Sequence, residues 1–175
     1  PISNSCCRIC RAACRAAREI EWITVAPDGA TAWVANTLDD SLSVIDLAQL
    51  QAVARVDLGG PKRQTHIRWG EKLFHSANVT FQRQFSCAAC HPDGHVDGLT
   101  DDPEADGIGL NPVDNRTLRG IHATDPFKGA GSTPTPARQC GARLAVFFTR
   151  IAPFTPEQLQ AVNDYTVTIP RPPNR

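Results

Sequence analysis

The spacing of apolar residues changes once along this chain, and that change limits what it can fold into. From Trp22 to Gly59, in WITVAPDGATAWVANTLDDSLSVIDLAQLQAVARVDLGG, the hydrophobic pattern takes a period of two, the period of a β-strand. After Gly59-Gly60-Pro61, the segment HIRWGEKLFHSA sets Ile67, Gly70, Phe74 and Ala77 along one stripe with Trp69 and Leu73 beside it. That is the spacing of an amphipathic helix. The sequence therefore predicts a small sheet over residues 20–60, a boundary at the Gly-Gly-Pro break, and a second domain over 61–175, with a Cys- and Arg-rich extension over 1–19.

Within the sheet, strands are expected at 22–25, 31–36, 41–46 and 52–58. Turns fall at Pro27-Asp28-Gly29, at Leu38-Asp39-Asp40 and at residues 48–51, where Pro, Gly and Asp favour chain reversal. Trp33 and Ala35 point one way and Ala32 and Val34 the other, so both faces of this meander call for cover, and Trp22, Trp33 and Trp69 read as core residues. Further on, Pro136 opens a helix through ARQCGARLAVFFTRI. Thr155-Pro156-Glu157-Gln158 then combines an N-cap, a Pro at the first helical position and a Gln at the third. Leu159, Val162 and Tyr165 or Thr166 should face inward along that last helix. The stretch from Pro92 to Pro136 is studded with Gly, Pro, Asp and Asn and reads as loop.

Eighteen basic side chains against eighteen acidic ones remove the long-range field on which non-specific nucleic-acid binding depends. No stretch approaches the roughly 20 apolar residues of a membrane span, which fits a soluble, processed or fragmentary chain. Of the seven cysteines, Cys6, Cys7, Cys10 and Cys14 crowd the N-terminal extension, Cys140 stands alone, and Cys87 and Cys90 form a CxxC. The N-terminal group reads as part of a poorly ordered terminal segment, with a metal-thiolate set, disulfides or partner contacts as alternatives.

Cys87-Ala88-Ala89-Cys90-His91 is the most specific chemical signal. Two thiols on one helical turn can each add to a haem vinyl group, and the adjoining imidazole then reaches the iron from the same face. A redox disulfide or half a zinc site needs no trailing His, and no second CxxC completes a zinc ribbon. Covalent attachment of one haem c at Cys87 and Cys90, with His91 on iron, is the expectation. Such attachment takes place outside the cytoplasm, which predicts a periplasmic or otherwise extracytoplasmic protein.

The segment PDGATAWVAN…SLSVIDL…VARVDLG resembles one repeat of the YVTN-type β-propeller family. RWGEKLFHSANVTFQRQFSCAACHPDGHVDGL, followed by NRTLRGIHATDPFKG, resembles the haem modules of the di-haem cytochrome c peroxidase and MauG family. Members of that family with an N-terminal propeller look most similar, and in them a propeller precedes two haem modules, whereas this chain has one blade and one CxxCH. The resemblance implies a mainly α, class I cytochrome c-like haem domain behind a small antiparallel meander. It also carries the NRTLRGIHATDPFKG stretch over the distal face of the haem, so that Phe127 contacts the plate and His122 approaches iron.

Methionine is absent, so the sixth iron position falls to His122, His75, His95 or Lys128, or stays open. Arg116 and Arg119 read as solvated loop charges or, through their forked guanidinium groups, as partners of haem propionates. The resemblance also suggests a calcium near Asp93, Asp97, Asp101, Asp102, Glu104 and Asp106, but their spacing is not that of an EF-hand and reads rather as a solvated loop. The leading functional expectation is a single-haem electron-transfer protein, a subunit or fragment of a larger membrane-associated or periplasmic redox complex with a redox partner protein. The alternatives are a peroxidase or MauG-like oxidase that draws a second haem from a partner, and a propeller-completing interaction subunit that carries a haem.

Overall fold

The computed structural model describes residues 22–60, 64–78, 80, 85–101, 112–128, 131–140 and 153–173. The expectations for the 1–19 extension with its four cysteines, for Asp102, Glu104 and Asp106, and for residues 141–151 of the second long helix lie outside them. The chain divides into two compact units, Pro1–Arg63 and Gln64–Arg175.

The first unit holds four strands, β1 (Trp22–Val25), β2 (Thr31–Asn36), β3 (Ser41–Asp46) and β4 (Gln51–Asp57), paired in sequence order as an antiparallel meander. In the β1/β2 turn, Asp28 Oδ1 accepts from the Ala30 amide at 2.9 Å and Gly29 takes a φ of 68°, a left-handed conformation that glycine adopts without a steric penalty. The register pairs Trp22 with Ala35 and Trp33 with Val44. A bulge between Val44 and Ile45 pairs Val44 with Ala54 and Ile45 with Ala52, so β4 spans one residue more than β3.

The sheet's two faces differ. Ala32, Val34 and Ile45 are fully buried on one of them. Asn36 on the same face donates through Nδ2 to the Ser41 and Ser43 hydroxyls at 3.0 and 2.9 Å. On the other face Trp22 is 72 % and Trp33 38 % exposed. The expectation that both tryptophans are core residues is therefore corrected: the apolar positions alternate as foreseen, but burial is concentrated on the face that carries small and β-branched side chains.

In the second unit, α1 (His66–His75) crosses α4 (Pro156–Thr166). The crossing is close because Gly70 lies against the Ala161 carbonyl. Phe74, Phe154 and Val162 form the buried centre, with Leu73, Cys87, Ala88, Leu118, Leu159 and Tyr165 packed around it. Phe74 meets Tyr165 edge to face at 5.3 Å, a favoured aromatic geometry. Between these helices come α2 (Cys87–Cys90), a 3-10 turn at Pro92–Gly94, the short pair β5 (Thr100–Asp101) and β6 (Val113–Asp114), and α3 (Pro136–Cys140).

The capping box that opens α4 forms as the sequence predicts. Thr155 Oγ1 accepts from the Gln158 amide at 3.2 Å, and Gln158 Oε1 accepts from the Thr155 amide at 2.9 Å. Thr155→Ala removes one of these bonds, worth about 1 kcal/mol. A thermal melt should show the midpoint about 4–8 °C lower, and an unchanged midpoint would mean that α4 is held by packing alone.

A mainly α, class I cytochrome c-like fold is contradicted. Strand content, at 24 %, is close to the helical 29 %, the α-helices among the described residues are four and short, and a four-stranded antiparallel sheet is present. The physical reason lies in the chain itself. The period-two segment commits residues 22–57 to the sheet, and the Gly- and Pro-rich stretch after the CxxCH has no spacing that would bury a helical face. Among the described residues no helix is long and apolar enough to cross a membrane.

Candidate functional site

Cys87 and Cys90 open and close α2, whose single turn presents both sulfurs, and His91 caps it with its amide donating to the Cys87 carbonyl at 3.0 Å. Both cysteines are half-buried thiols. Cys87 and Ala88 lie against the cluster of Phe74, Phe154 and Val162, so the turn rests on the apolar floor where α1 and α4 cross.

Beyond His91 the chain doubles back. Pro92–Gly94 forms a tight turn in which Asp93 and Gly94 take φ values of 52° and 69°. Gly94 is buried, and a side chain there would meet Ile169 Cγ2 at 2.7 Å. The reversal brings the His95 carbonyl to 3.1 Å from His91 Nδ1. A carbonyl can only accept, so Nδ1 carries the proton and Nε2 keeps the lone pair. Burial pushes the His91 imidazole below its ordinary pKa, against the opposing pull of the His95 carbonyl, the Asp97 carboxylate and the Arg116 backbone. The neutral imidazole that results is the form that binds metals.

A second segment, residues 115–120, holds this loop from the side. Asn115 Nδ2 donates to the Cys90 carbonyl, and at 3.4 Å to Asp97 Oδ1. The Leu118 amide donates to the Gly94 carbonyl at 2.8 Å, Thr117 Oγ1 lies 3.1 Å from His95 Nδ1, and Arg119 Nε donates to the Asp93 carbonyl at 3.0 Å. Gly120 in turn donates to the Ile169 carbonyl at 3.0 Å, which ties the segment to the end of α4. The first half of the stretch expected to cover the distal haem face is thus hydrogen-bonded to the attachment loop.

Cys87, Cys90 and His91 are therefore brought onto one turn, with Arg116 and Arg119 beside them. Arg116 is exposed, while Arg119 is half-buried and has its Nε directed at a loop carbonyl, leaving its two Nη groups as donors for a carboxylate. His95 is anchored to Thr117. His75 lies on α1, where Nδ1 donates to the Glu71 carbonyl at 2.9 Å and the ring packs edge-on against Phe74 at 5.2 Å. His122 is exposed in a turn, Lys128 is exposed, and half-buried Phe127 pairs with Thr133 as an isolated bridge. Asn115 and Thr117 escaped the sequence reading, although they flank the arginines of NRTLRG. Charge drew attention to Arg116 and Arg119, whereas the contacts of an uncharged amide and hydroxyl depend on the loop's path.

The donor set fits a haem c better than a bare ion. Among the described residues no group of three or more His, Cys, Asp or Glu side chains gathers to chelate a metal, so zinc at Cys87 and Cys90 would lack its remaining ligands there. Haem brings its own equatorial nitrogens and asks of the protein two thiols, an imidazole with Nε2 available and an apolar bed.

No family model matches the sequence, and no curated protein matches it. Among solved structures the chain is similar to a chain in Kuenenia stuttgartiensis hydrazine synthase pressurized with 20 bar xenon, at 28 % identity and a TM-score of 0.53. The match covers 63 % of this chain and 38 % of that one.

Proposed function

We propose that this protein carries one haem c, attached through Cys87 and Cys90 with His91 as an axial ligand, and acts as an electron-transfer unit within a larger extracytoplasmic assembly. The observation that carries the reading is the Nδ1 proton of His91 committed to the His95 carbonyl on the turn that presents both thiols. Iron-binding imidazoles are held in this way, with the second nitrogen's proton donated to a fixed acceptor. Haem supplies one-electron exchange between ferric and ferrous iron. The chain's own residues attach it, keep His91 in one tautomer and provide the apolar floor of Phe74, Phe154 and Val162. Arg116 and Arg119 offer guanidinium groups to the propionates.

Similarity to a chain of hydrazine synthase supports membership of a larger enzyme as a second reading, in which the haem serves catalysis with partner subunits; a peroxidase or MauG-like oxidase would be one such enzyme. A pyridine haemochrome assay on protein expressed with periplasmic haem attachment should count one haem per chain, and the colour should stay with the protein through acid–acetone extraction. A colourless precipitate would end the proposal. Low-spin iron with two strong-field ligands favours electron transfer, and high-spin iron with an open position favours the enzyme.

A further inference from the structure

The carbonyl that accepts the His91 proton is itself held by an unusual device. The His95 side chain turns to Thr117, with Nδ1 at 3.1 Å from Oγ1. That hydroxyl also accepts from the Arg119 amide at 3.2 Å and lies 3.4 Å from the Gly94 carbonyl. A hydroxyl has one proton and two lone pairs. One lone pair takes the Arg119 amide, and the remaining proton and lone pair serve the His95 ring and the Gly94 carbonyl, so the hydroxyl joins all three groups. The backbone of His95 is fixed on its other side by its amide, which donates to the Pro92 carbonyl at 2.8 Å.

We infer that His95 and Thr117 are positioning residues for His91: the Thr117 hydroxyl anchors the His95 ring, and the anchored residue holds its carbonyl on the His91 Nδ1 proton. This rests on the haem reading above and deepens it. His95 is thereby assigned a role beside the proximal ligand, and its own Nδ1 is spent on Thr117. A firmly accepted Nδ1 proton makes an imidazole a stronger donor and favours the ferric state, so loosening the anchor weakens ligation and raises the reduction potential.

Thr117→Val keeps the shape and removes the hydroxyl. His95 and Thr117 are both exposed, so the fold should survive, with melting close to the parent's. In the reduced protein, NMR should show the His91 Nδ1 proton exchanging with solvent roughly tenfold faster, the equivalent of one lost hydrogen bond. The potential should rise by up to about 59 mV, which is a tenfold change in relative ligation for one electron. His95→Ala should reproduce both effects, and Thr117→Ser, which restores the hydroxyl, should reverse them. Unchanged exchange and potential in a folded, haem-loaded Thr117→Val protein would overturn the inference. Should the parent chain carry no haem, the haem reading fails on that count alone, and the His91 Nδ1 proton exchange compared between the haem-free parent and haem-free Thr117→Val then decides whether Thr117 anchors His91.

Discussion

Gly70→Ala is expected to destabilise the second unit by about 3 kcal/mol or more, a large part of the total stability of an ordinary domain. Alanine normally strengthens a helix by up to about 1 kcal/mol relative to glycine, so the packing penalty has to exceed that gain. The geometry indicates that it does. A Cβ at Gly70 would stand 1.9 Å from the Ala161 carbonyl oxygen and 2.4 Å from its carbon. Both belong to the α4 backbone, which cannot rotate away as a side chain can. Relief requires α1 and α4 to separate by about an ångström, which breaks the contact among Phe74, Phe154 and Val162 all at once. Thermal unfolding should show the midpoint lower by more than about 10 °C. Gly98→Ala is the control: unlike the helical Gly70 it has a positive φ, of 78°, but nothing lies within 4 Å of its added methyl, so its cost is backbone strain of roughly 1–2 kcal/mol. A Gly70→Ala protein as stable as its parent would show that the two helices do not touch at this point.

The same contrast between local and long-range information explains what the sequence made legible. Three of the four strand ranges agree with the period-two pattern to the residue, and β4 runs from Gln51 to Asp57 where residues 52–58 were expected. The bulge at Val44/Ile45 is a feature of pairing, and a pattern read along one strand cannot report it. The Thr155 capping box was legible because every partner lies within four residues. The side of the sheet that would be buried was not, since Trp33 and Val34 are both apolar and alternation alone ranks neither face. Nor was the placing of residues 112–120 against 90–97, where Asn115 reaches Cys90 and Thr117 reaches His95 through uncharged groups far apart in sequence. The mainly α expectation came from resemblance in the haem-binding segment, and a resemblance centred on one motif does not carry secondary-structure content for the whole chain.

Removing the Cys90 sulfur separates attachment from folding more cleanly than any other change at the site. Cys87 packs on the Phe74, Phe154 and Val162 cluster, so Cys87→Ala takes away an apolar contact together with a thiol, and a loss of haem in that variant has two explanations. Cys90 is half-buried at the other end of α2, and Ala is close to Cys in size and favours the helical turn. Cys90→Ala should therefore fold like its parent and retain haem through one thioether, with a shifted pyridine haemochrome band. Cys87→Ala/Cys90→Ala should release all colour in acid–acetone. His91→Gly leaves both thiols in place but removes the axial nitrogen, so it should keep covalent haem, lose the parent's ligand-field spectrum and recover it on addition of imidazole, which enters the gap left by the side chain. Those three results together would separate attachment from ligation. Haem content and spectra identical to the parent's in His91→Gly would place the axial ligand elsewhere, and the half-buried His75, whose Nδ1 already donates to the Glu71 carbonyl, is the next residue to replace.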